Sequence, residues 1–452
     1  MKIERLKITG LYGYIDKNIS FNQDLTLLVG INGSGKTSVL NLINWILKPS
    51  LPSLCVTEFK SIQLFFHYKG IGYEILCKHN KASFKYSIKS ENEEFYPLSV
   101  RTKIAPTSIK NDDNLKMQLI QFYSGLRPDQ KEQRTWDLIS TFPNPTVIGL
   151  DRNLCAEEEQ YFHDGPIRGK ILKKENQSNV SPLDRVKEIV DREYRKKKDS
   201  ILKLTSNLKN YLMLSTFEGS ITIESLLQGV RYKLNLGQIE KAENRINEYL
   251  NNFEKSVFSQ NEQNIIANYF SQLKQIIDRY QNDPEGENVK LLYSLNANQF
   301  IKVNKLLKEF EKFEAESNSA LEQINTYIET LNFFFKDSAK RLLFKEDTAE
   351  LMFNALDKNG NILTEFKDIK FLSSGEQQIL MLFSYIAFNS SDGRVFIIDE
   401  PELSLHIKWQ EEFLSQLEKI TPKATQLILA THSPILVNKK KQKTRILFPY
   451  NS

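Results

Sequence analysis

The stretch LLVGINGSGKTSVLNLI, residues Leu27 to Ile43, decides the fold. It begins with a short apolar run, Thr26 to Val29, that is typical of a buried strand. Residues 30–37, GINGSGKT, fit the pattern G-x-x-x-x-G-K-[ST], and residues 38–47 then place apolar side chains on one helical face. A strand, this loop and a helix in that order predict a phosphate-binding loop.

Each residue type in this loop matches a requirement of phosphate binding. Glycines let the backbone curl so that several N–H groups point at phosphate oxygens. Lys36 adds a positive charge at the β- and γ-phosphates, and the Thr37 hydroxyl can ligate Mg²⁺. The N-terminus of the following helix also favours an anion. The predicted nucleotide-binding residues are Asn32, Gly33, Ser34, Gly35, Lys36, Thr37 and Ser38.

Length and composition are those of an ordinary globular protein. The chain has 452 residues, 40% hydrophobic and 26% charged, enough for about two or three domains. The net charge of +5 permits contact with a polyanion but does not require it. Three cysteines without metal-ligand spacing favour a reducing compartment. Since no apolar stretch has the length of a membrane span and the N-terminus lacks a signal-peptide core, we expect a cytoplasmic protein without membrane contact.

The hydrophobic periodicity changes twice along the chain. Residues 1–180 hold several strand patterns around the phosphate loop. Residues 181–345 are charged and repeat apolar side chains in steps of three and four, which predicts a mainly α-helical, partly coiled-coil insertion. Strand patterns return in residues 346–452, beginning with a hairpin whose turn contains Asn359 and Gly360. The sequence therefore predicts an α/β domain that a helical insertion splits into two parts.

A second apolar strand carries the acidic residues of the predicted site. Residues 394–400 read RVFIIDE, so Asp399 and Glu400 follow a buried strand at the end where α/β sheets bind ligands. Asp399 is predicted to hold Mg²⁺ together with Thr37. Glu400 is predicted to act as the general base that polarises the attacking water.

Two further segments extend the pattern. Residues 371–378, FLSSGEQQ, place small polar side chains before a helix, and such a helix N-terminus can bind an anion. An apolar strand, residues 426–429, leads to residues 430–434, ATHSP. A histidine at a strand end is by itself more often structural. Because His432 follows a phosphate loop and a two-acid strand in order, the pattern favours a catalytic role.

These segments resemble the motifs of the ABC-type ATPases of the SMC/RecF/OLD group. GINGSGKT resembles the Walker A loop, LSSGEQQ the signature motif, VFIIDEPELSLH the Walker B strand with its D-loop, and LATHSP the switch-histidine segment. The resemblance covers both ends of the chain, residues 1–48 and 366–437, and includes the interruption by a helical insert. It implies a split P-loop ABC-type ATPase head, with a mixed sheet and helices, that uses ATP and Mg²⁺.

The resemblance also implies a composite site between two heads. In such families two heads sandwich two nucleotides, so signature residues of one subunit reach the γ-phosphate held by Lys36 of the other. His432 would contact the γ-phosphate or the attacking water. The implied signature residues are Ser373, Ser374, Gly375 and Glu376, and the implied D-loop residues at the seam are Glu402, Leu403 and Ser404. A homodimer or higher homo-oligomer through the ATPase heads is expected.

The sequence departs from the family pattern in three places. Ser374 stands where transporters usually have glycine, and the spelling GEQQ is closer to the OLD branch. The N-terminal strand leads to Leu11, Tyr12 and Gly13, where many relatives carry Phe-Arg, so ATP rather than GTP rests on family likeness. The glutamine-loop residue stays open between Gln118, Gln121 and Gln160.

Three hypotheses address the output of the ATPase. OLD-type proteins continue into a TOPRIM nuclease domain, whereas this chain stops at Ser452, so we expect any nuclease effector to be a separate protein. The first hypothesis is the sensor of a two-component antiphage system, resembling PARIS, Septu or retron-associated ATPases, with DNA or a phage-encoded trigger. The second is a RecF/SMC-like repair or chromosome-maintenance ATPase that grips DNA through residues 195–198 and 439–441. The insert and the GEQQ spelling argue against the third, a transporter subunit.

Overall fold

The computed structural model describes residues 1–80, 82–109, 112–149, 181–217, 236–253, 260–389 and 394–449. The chain divides into two compact units. The first contains residues 1–193 and 325–452, and the second contains residues 194–324. The second unit lies within the segment 181–345 that the sequence assigns to a helical insertion. The division into segments 1–180, 181–345 and 346–452 stays a prediction.

The strands of the described residues form three sheets. They are β1 (Lys2–Leu11), β2 (Ile15–Ser20), β3 (Leu25–Val29), β4 (Ser61–Tyr68), β5 (Ile71–Asn80), β6 (Ser83–Ser90), β7 (Leu98–Arg101), β8 (Thr146–Ile148), β9 (Lys340–Phe344), β10 (Leu351–Leu356), β11 (Ile362–Asp368), β12 (Val395–Asp399), β13 (Gln426–Thr431) and β14 (Thr444–Ile446). A six-stranded antiparallel sheet has the order β2-β1-β4-β5-β6-β7, and a three-stranded antiparallel sheet has the order β11-β10-β9. The third, called the parallel sheet below, has the order β14-β3-β13-β12-β8.

The helices of the described residues cover these sheets or build the second unit. They are α1 (Lys36–Leu47), α2 (Leu51–Val56), α3 (Asp113–Ser124), α4 (Gln133–Thr141), α5 (Pro182–Phe217), α6 (Leu236–Phe253), α7 (Gln260–Asn282), α8 (Glu287–Leu295), α9 (Ala297–Phe335), α10 (Ser374–Phe388), α11 (Ile407–Ile420) and α12 (Pro434–Lys439). None of them is both long enough and apolar enough to cross a membrane, within the residues described.

The parallel sheet lies between two hydrophobic cores. Its strands pair in parallel, and β12 is buried along its whole length. Because successive side chains of a strand point to opposite faces, Ile397 joins the core that α1 shares with the six-stranded sheet. Phe396 and Ile398 join the opposite core, which contains α10 and α11. Burial on both faces explains why β3, β12 and β13, the central strands of this sheet, are largely apolar.

Strand pairing differs from the predicted single mixed sheet. Alternating strands such as β2, whose side chains are alternately buried and exposed, pair antiparallel, while the apolar strands β3, β12 and β13 lie side by side in the parallel sheet. The two patterns therefore separate into different sheets. The predicted hairpin around Asn359 and Gly360 is confirmed by the antiparallel pairing of β10 with β11.

Helices α3 and α4 are separate elements. The sequence between α3 and α4 contains Gly125 and Pro128, and both residue types disfavour a helix interior.

The second unit has a hydrophobic core of its own. Its buried side chains come from several helices, and Tyr280 stacks on Tyr293 with the ring centroids 4.3 Å apart. Ion pairs such as Lys274 to Glu243, at 2.6 Å, join neighbouring helices at the edge of this core. Ile239, Ala242 and Ile246, which are spaced by three and four residues, belong to this cluster. The partly coiled-coil character of the insertion stays a prediction.

Candidate nucleotide-binding site

The phosphate loop connects β3 to α1 in a conformation that depends on glycine. Gly33 and Gly35 have φ angles of 80° and 89°, which other residues rarely adopt. A Cβ on Gly30 would lie 2.4 Å from Ser34 Oγ and 2.5 Å from the Leu447 carbonyl oxygen, so this position has no room for a side chain. Gly35 caps α1 without a side-chain hydrogen bond. The first N–H groups of α1 are therefore available to an anion.

Lys36 folds back over this loop. It is only 5% exposed, and its Nζ donates a hydrogen bond to the Gly30 carbonyl oxygen at 2.9 Å. Burial lowers the pKa of Lys36, while the carboxylates of Glu400 and Asp399 act in the opposite direction. A phosphate would supply the negative charge that a buried ammonium group lacks.

Thr37 and Asp399 meet at the end of β12. The Thr37 hydroxyl donates to Asp399 Oδ2 at 2.7 Å, and Asp399 Oδ1 is buried without a hydrogen-bond partner within the described part of the chain. Burial raises the pKa of Asp399, and the Thr37 hydrogen bond only partly offsets this effect. A hydroxyl beside a buried, half-satisfied carboxylate fits a Mg²⁺ ion, which prefers oxygen ligands. These residues would hold the metal.

Glu400 and His432 follow two neighbouring strands, β12 and β13. His432 Nε2 lies 3.5 Å from Glu400 Oε1, and both side chains are partly accessible to solvent. Glu400 has a φ of 49°, which is unusual for a non-glycine residue, and its N–H donates to the Ala430 carbonyl oxygen at 2.8 Å. Backbone strain of this kind concentrates at functional sites. The pair stands where a water molecule could be activated.

The buried side chain of Glu402 holds residues 431–433, which include His432, in place. Its Oε1 accepts hydrogen bonds from Thr431 Oγ1 at 2.7 Å, His432 N at 2.6 Å and Ser433 N at 3.1 Å. The side chain is buried, and its Oε2 has no partner among the described residues. The sequence assigned Glu402 to the D-loop without this positioning role. No sequence periodicity points to it, because the contacts join segments about 30 residues apart.

The predicted signature residues surround the N-terminus of α10. Ser373 and Ser374 are exposed, whereas Glu376 is buried. Glu376 accepts hydrogen bonds from Ser373 N at 2.7 Å and Ser338 Oγ at 2.5 Å, and it forms an ion pair with Lys340 at 2.7 Å. Burial favours the neutral acid, but these partners outweigh it and lower the pKa of Glu376. Glu376 therefore supports this loop from inside, a role that the sequence did not assign.

The D-loop packs directly against this helix. A Cβ on Gly375 would lie 2.8 Å from the Ser404 carbonyl oxygen, so glycine permits the contact. Ser404 itself has a φ of 66°. Leu403 and Ser404 are exposed, while Glu402 points into the protein.

The structure thus brings the predicted residues into two groups. One group joins Lys36, Thr37, Asp399, Glu400 and His432 at the carboxyl ends of three adjacent strands. The other joins the exposed signature serines to the D-loop through Gly375.

Other candidate residues lie elsewhere. Gln118 and Gln121 are exposed on α3, and Gln160 lies outside the described residues. The C-terminal basic run is partly neutralised, because Lys439 and Lys440 pair with Glu412 and Glu418.

Part of the chain is similar to two curated proteins. Over an aligned stretch of 91 residues, the chain is 36% identical to the "Retron Vc95 probable ATPase" of Vibrio cholerae serotype O1 biovar El Tor. Over an aligned stretch of 90 residues, it is 39% identical to the "Retron Ec83 probable ATPase" of Escherichia coli. Each alignment covers 18% of this chain, and 17% and 16% of the two relatives. The matched part is about a sixth of each relative.

A family model described as "AAA domain, putative AbiEii toxin, Type IV TA system" matches residues 25–438. The match begins at β3, runs through both groups of candidate residues and ends in α12. It covers most of the chain. The chain therefore belongs to this AAA domain family.

Proposed function

We propose that the chain hydrolyses ATP to ADP and phosphate with the help of Mg²⁺. One observation carries the proposal: the Thr37–Asp399 hydrogen bond and the Glu400–His432 pair lie at neighbouring strand ends beside the phosphate loop. Phosphate-binding groups, an oxygen-rich metal site and a candidate base thereby converge at one edge of the parallel sheet. This combination is what phosphoryl transfer to water requires.

In this proposal each residue has a separate task. Loop N–H groups and Lys36 bind the β- and γ-phosphates, and Thr37 and Asp399 would hold Mg²⁺, which would supply positive charge against the phosphates. Glu400 accepts a proton from the attacking water, as its accessible carboxylate permits. His432 orients the water or the γ-phosphate, and Glu402 fixes His432 through its backbone N–H.

The proposal includes association of two or more ATPase heads. Support comes from the exposed Ser373 and Ser374 at a helix N-terminus, beside the exposed Leu403 of the D-loop. Apolar Ile407 and Phe371 in the same segments are 62% and 75% exposed, which suits burial against a second copy. The signature serines would then reach a nucleotide held by the neighbouring subunit.

We further propose a role as sensor or switch in antiphage defence, controlling a separate effector protein such as a nuclease. The support is the family description and the two retron ATPases among its relatives. Nucleotide binding and hydrolysis would shift the oligomer between two states that differ in how they hold the effector.

ATP turnover in wild type and Lys36→Ala tests the enzymatic part. We expect Mg²⁺-dependent turnover in wild type and background rates in the variant, because Lys36 supplies the ammonium group that binds the phosphates. Lys48→Ala, just beyond the C-terminus of α1, is the matched control and should keep wild-type turnover. Equal turnover in wild type and Lys36→Ala would contradict the assignment.

A pull-down with the neighbouring genes tests the biological part. Tagged Glu400→Gln protein is expressed with those genes and purified with ATP, and the mass of the intact complex is measured. Lys36→Ala is the nucleotide-free control. A stoichiometric second protein supports the defence proposal. A homo-oligomer that carries nucleic acid instead contradicts it and favours the repair or chromosome-maintenance alternative.

A further inference from the structure

A cavity of about 390 Å³ lies beside β7, the edge strand of the six-stranded sheet. Its other walls come from the end of α3, the loop that follows and α4. None of the residues that line it belongs to the candidate nucleotide site. The volume is within the range of about 300–1,000 Å³ that is typical of small-molecule sites.

Backbone groups of β7 face this cavity. Thr102 N–H, directly after β7, donates to the Ala82 carbonyl oxygen at 3.0 Å on the β6 side. Because backbone groups alternate in direction along a strand, those of Ser99 and Arg101 point away from β6. The hydrogen bond from Ser99 N–H to Glu132 Oε1, at 2.8 Å, agrees with this direction.

Side chains close this strand edge on both sides of Arg101. Glu132 accepts the hydrogen bond of Ser99 N–H, and the Tyr123 hydroxyl accepts the hydrogen bond of Lys103 N–H at 2.9 Å. A peptide that extends a sheet needs several consecutive edge groups. The edge at Arg101 therefore suits a compact ligand better than an added strand.

The cavity has an excess of positive charge. Arg101, Lys103 and Arg127 line it, and no ion pair of Arg101 or Arg127 is found within the described ranges. The lining also contains the carboxylates of Asp129 and Glu132, so three cations against two anions leave one net positive charge. Glu132 faces backbone N–H groups, because its Oε2 also accepts from Asp129 N–H at 3.0 Å. Two guanidinium groups match the oxygens of a phosphate because each can donate two parallel hydrogen bonds.

Apolar and aromatic side chains form the rest of the wall. Leu126 and Trp136 are lining residues that can contact a flat apolar body. Phe122 is also present, but Lys103 Nζ lies 3.3 Å from its ring centroid and covers that face. Trp136 is partly buried against the adjacent core, which holds its ring in place.

We propose that this cavity binds a nucleoside monophosphate, with its phosphate on Arg101 and Arg127 and its base against Trp136 and Leu126. The site is separate from the phosphate loop. It gives the chain a second nucleotide site that is independent of ATP hydrolysis.

Equilibrium dialysis of full-length Lys36→Ala protein tests this proposal, because that substitution removes binding at the phosphate loop. The probes are labelled AMP, GMP, CMP and UMP, with inorganic phosphate and a glutamate-rich peptide as competitors. The pocket variants Arg127→Glu and Arg101→Gln are each added to Lys36→Ala. Lys116→Glu, an exposed charge reversal on α3 outside the lining, is the matched control. Circular dichroism melting confirms that each variant is folded.

We expect at least one nucleotide to bind the Lys36→Ala protein. Its affinity should fall at least tenfold when either pocket substitution is combined with Lys36→Ala, and should not change when Lys116→Glu is combined with it. Absence of nucleotide binding at millimolar concentration would overturn the proposal, as would binding that both pocket variants leave unchanged. If inorganic phosphate competes as strongly as the nucleotides, Trp136 and Leu126 do not bind the base, and the proposal of a nucleotide ligand is overturned. Stronger competition by the peptide would reassign the cavity to an acidic protein partner.

Discussion

The phosphate-loop end of the parallel sheet and the N-terminus of α10 were predicted as anion sites for the same reason, a helix that follows small polar residues. Their hydrogen bonding differs. At the sheet end Ser34 Oγ, Asp399 Oδ1 and Glu402 Oε2 are buried without partners among the residues described. At α10 the buried carboxylate of Glu376 is saturated by Ser373, Ser338 and Lys340.

This difference separates a site built to receive a ligand from a site built to be rigid. Unsatisfied buried polar atoms cost stability, so they persist where a substrate or metal completes their hydrogen bonding. The φ angle of Glu400 adds strain at the same place. The signature loop is instead held from inside by Glu376, while Ser373 and Ser374 are exposed. Substitution of the half-satisfied carboxylate of Asp399 and of the saturated carboxylate of Glu376 should therefore have opposite consequences for stability.

Truncation of Glu402 should have the largest effect on stability. Glu402→Ala leaves the Thr431 hydroxyl and the His432 and Ser433 N–H groups without their acceptor. We expect the free energy of unfolding to fall by about 2–4 kcal/mol and turnover by at least tenfold. Urea denaturation and steady-state ATPase assays measure the two effects.

Glu402→Gln is the matched control, because its side-chain oxygen can still accept the hydrogen bonds. It should recover most of the stability and turnover. A Glu402→Gln variant as impaired as Glu402→Ala would show that charge, and not positioning, is what this residue contributes.

Glu376→Gln should cost less, about 1–3 kcal/mol, because the amide cannot match all of the donors that face it. The effect should depend on pH. Since the pKa of Glu376 is lowered, the unfolded chain takes up the proton first, and this stabilisation is lost as the pH falls below the ordinary value of about 4.5. Denaturation across pH 7 to 3 should show the wild-type advantage shrinking.

The exposed Glu365→Gln serves as the control for Glu376→Gln and should leave stability unchanged at every pH. A deficit in Glu376→Gln that stays constant down to pH 3 would mean that the ionised carboxylate does not stabilise the signature loop.

Asp399→Asn should have the smallest effect on stability, and the opposite sign. Burial raises the pKa of Asp399, so its charged form costs stability once the pH rises through that raised value. The neutral amide removes this cost, and we expect the melting temperature without nucleotide to rise by about 1–2 °C at pH 7. Mg²⁺-dependent stabilisation by ATP should be lost. A lower melting temperature would contradict the idea of a site that sacrifices stability for ligand binding.

The local parts of this candidate site can be located from the sequence alone. Walker-type residues such as Lys36 and Asp399 sit in contiguous motifs, and the strand and helix patterns around them carry their own periodicity. Glu402, Ser338 and Lys340 were missed as positioning residues because their contacts join distant segments and leave no local pattern. The separation of the strands into different sheets also depends on long-range pairing, as between Leu6 and Leu64. No pattern in the chain marked the cavity beside β7.

Single-turnover hydrolysis by Glu400→Gln, with ATP affinity measured on the same protein, tests the central claim most directly. If Glu400 is the base at a site that otherwise binds nucleotide normally, hydrolysis should slow by about 10²–10⁴-fold while ATP affinity changes little. Full hydrolysis by Glu400→Gln would contradict the assignment of Glu400, and loss of ATP binding would show that it serves the nucleotide site rather than the chemistry.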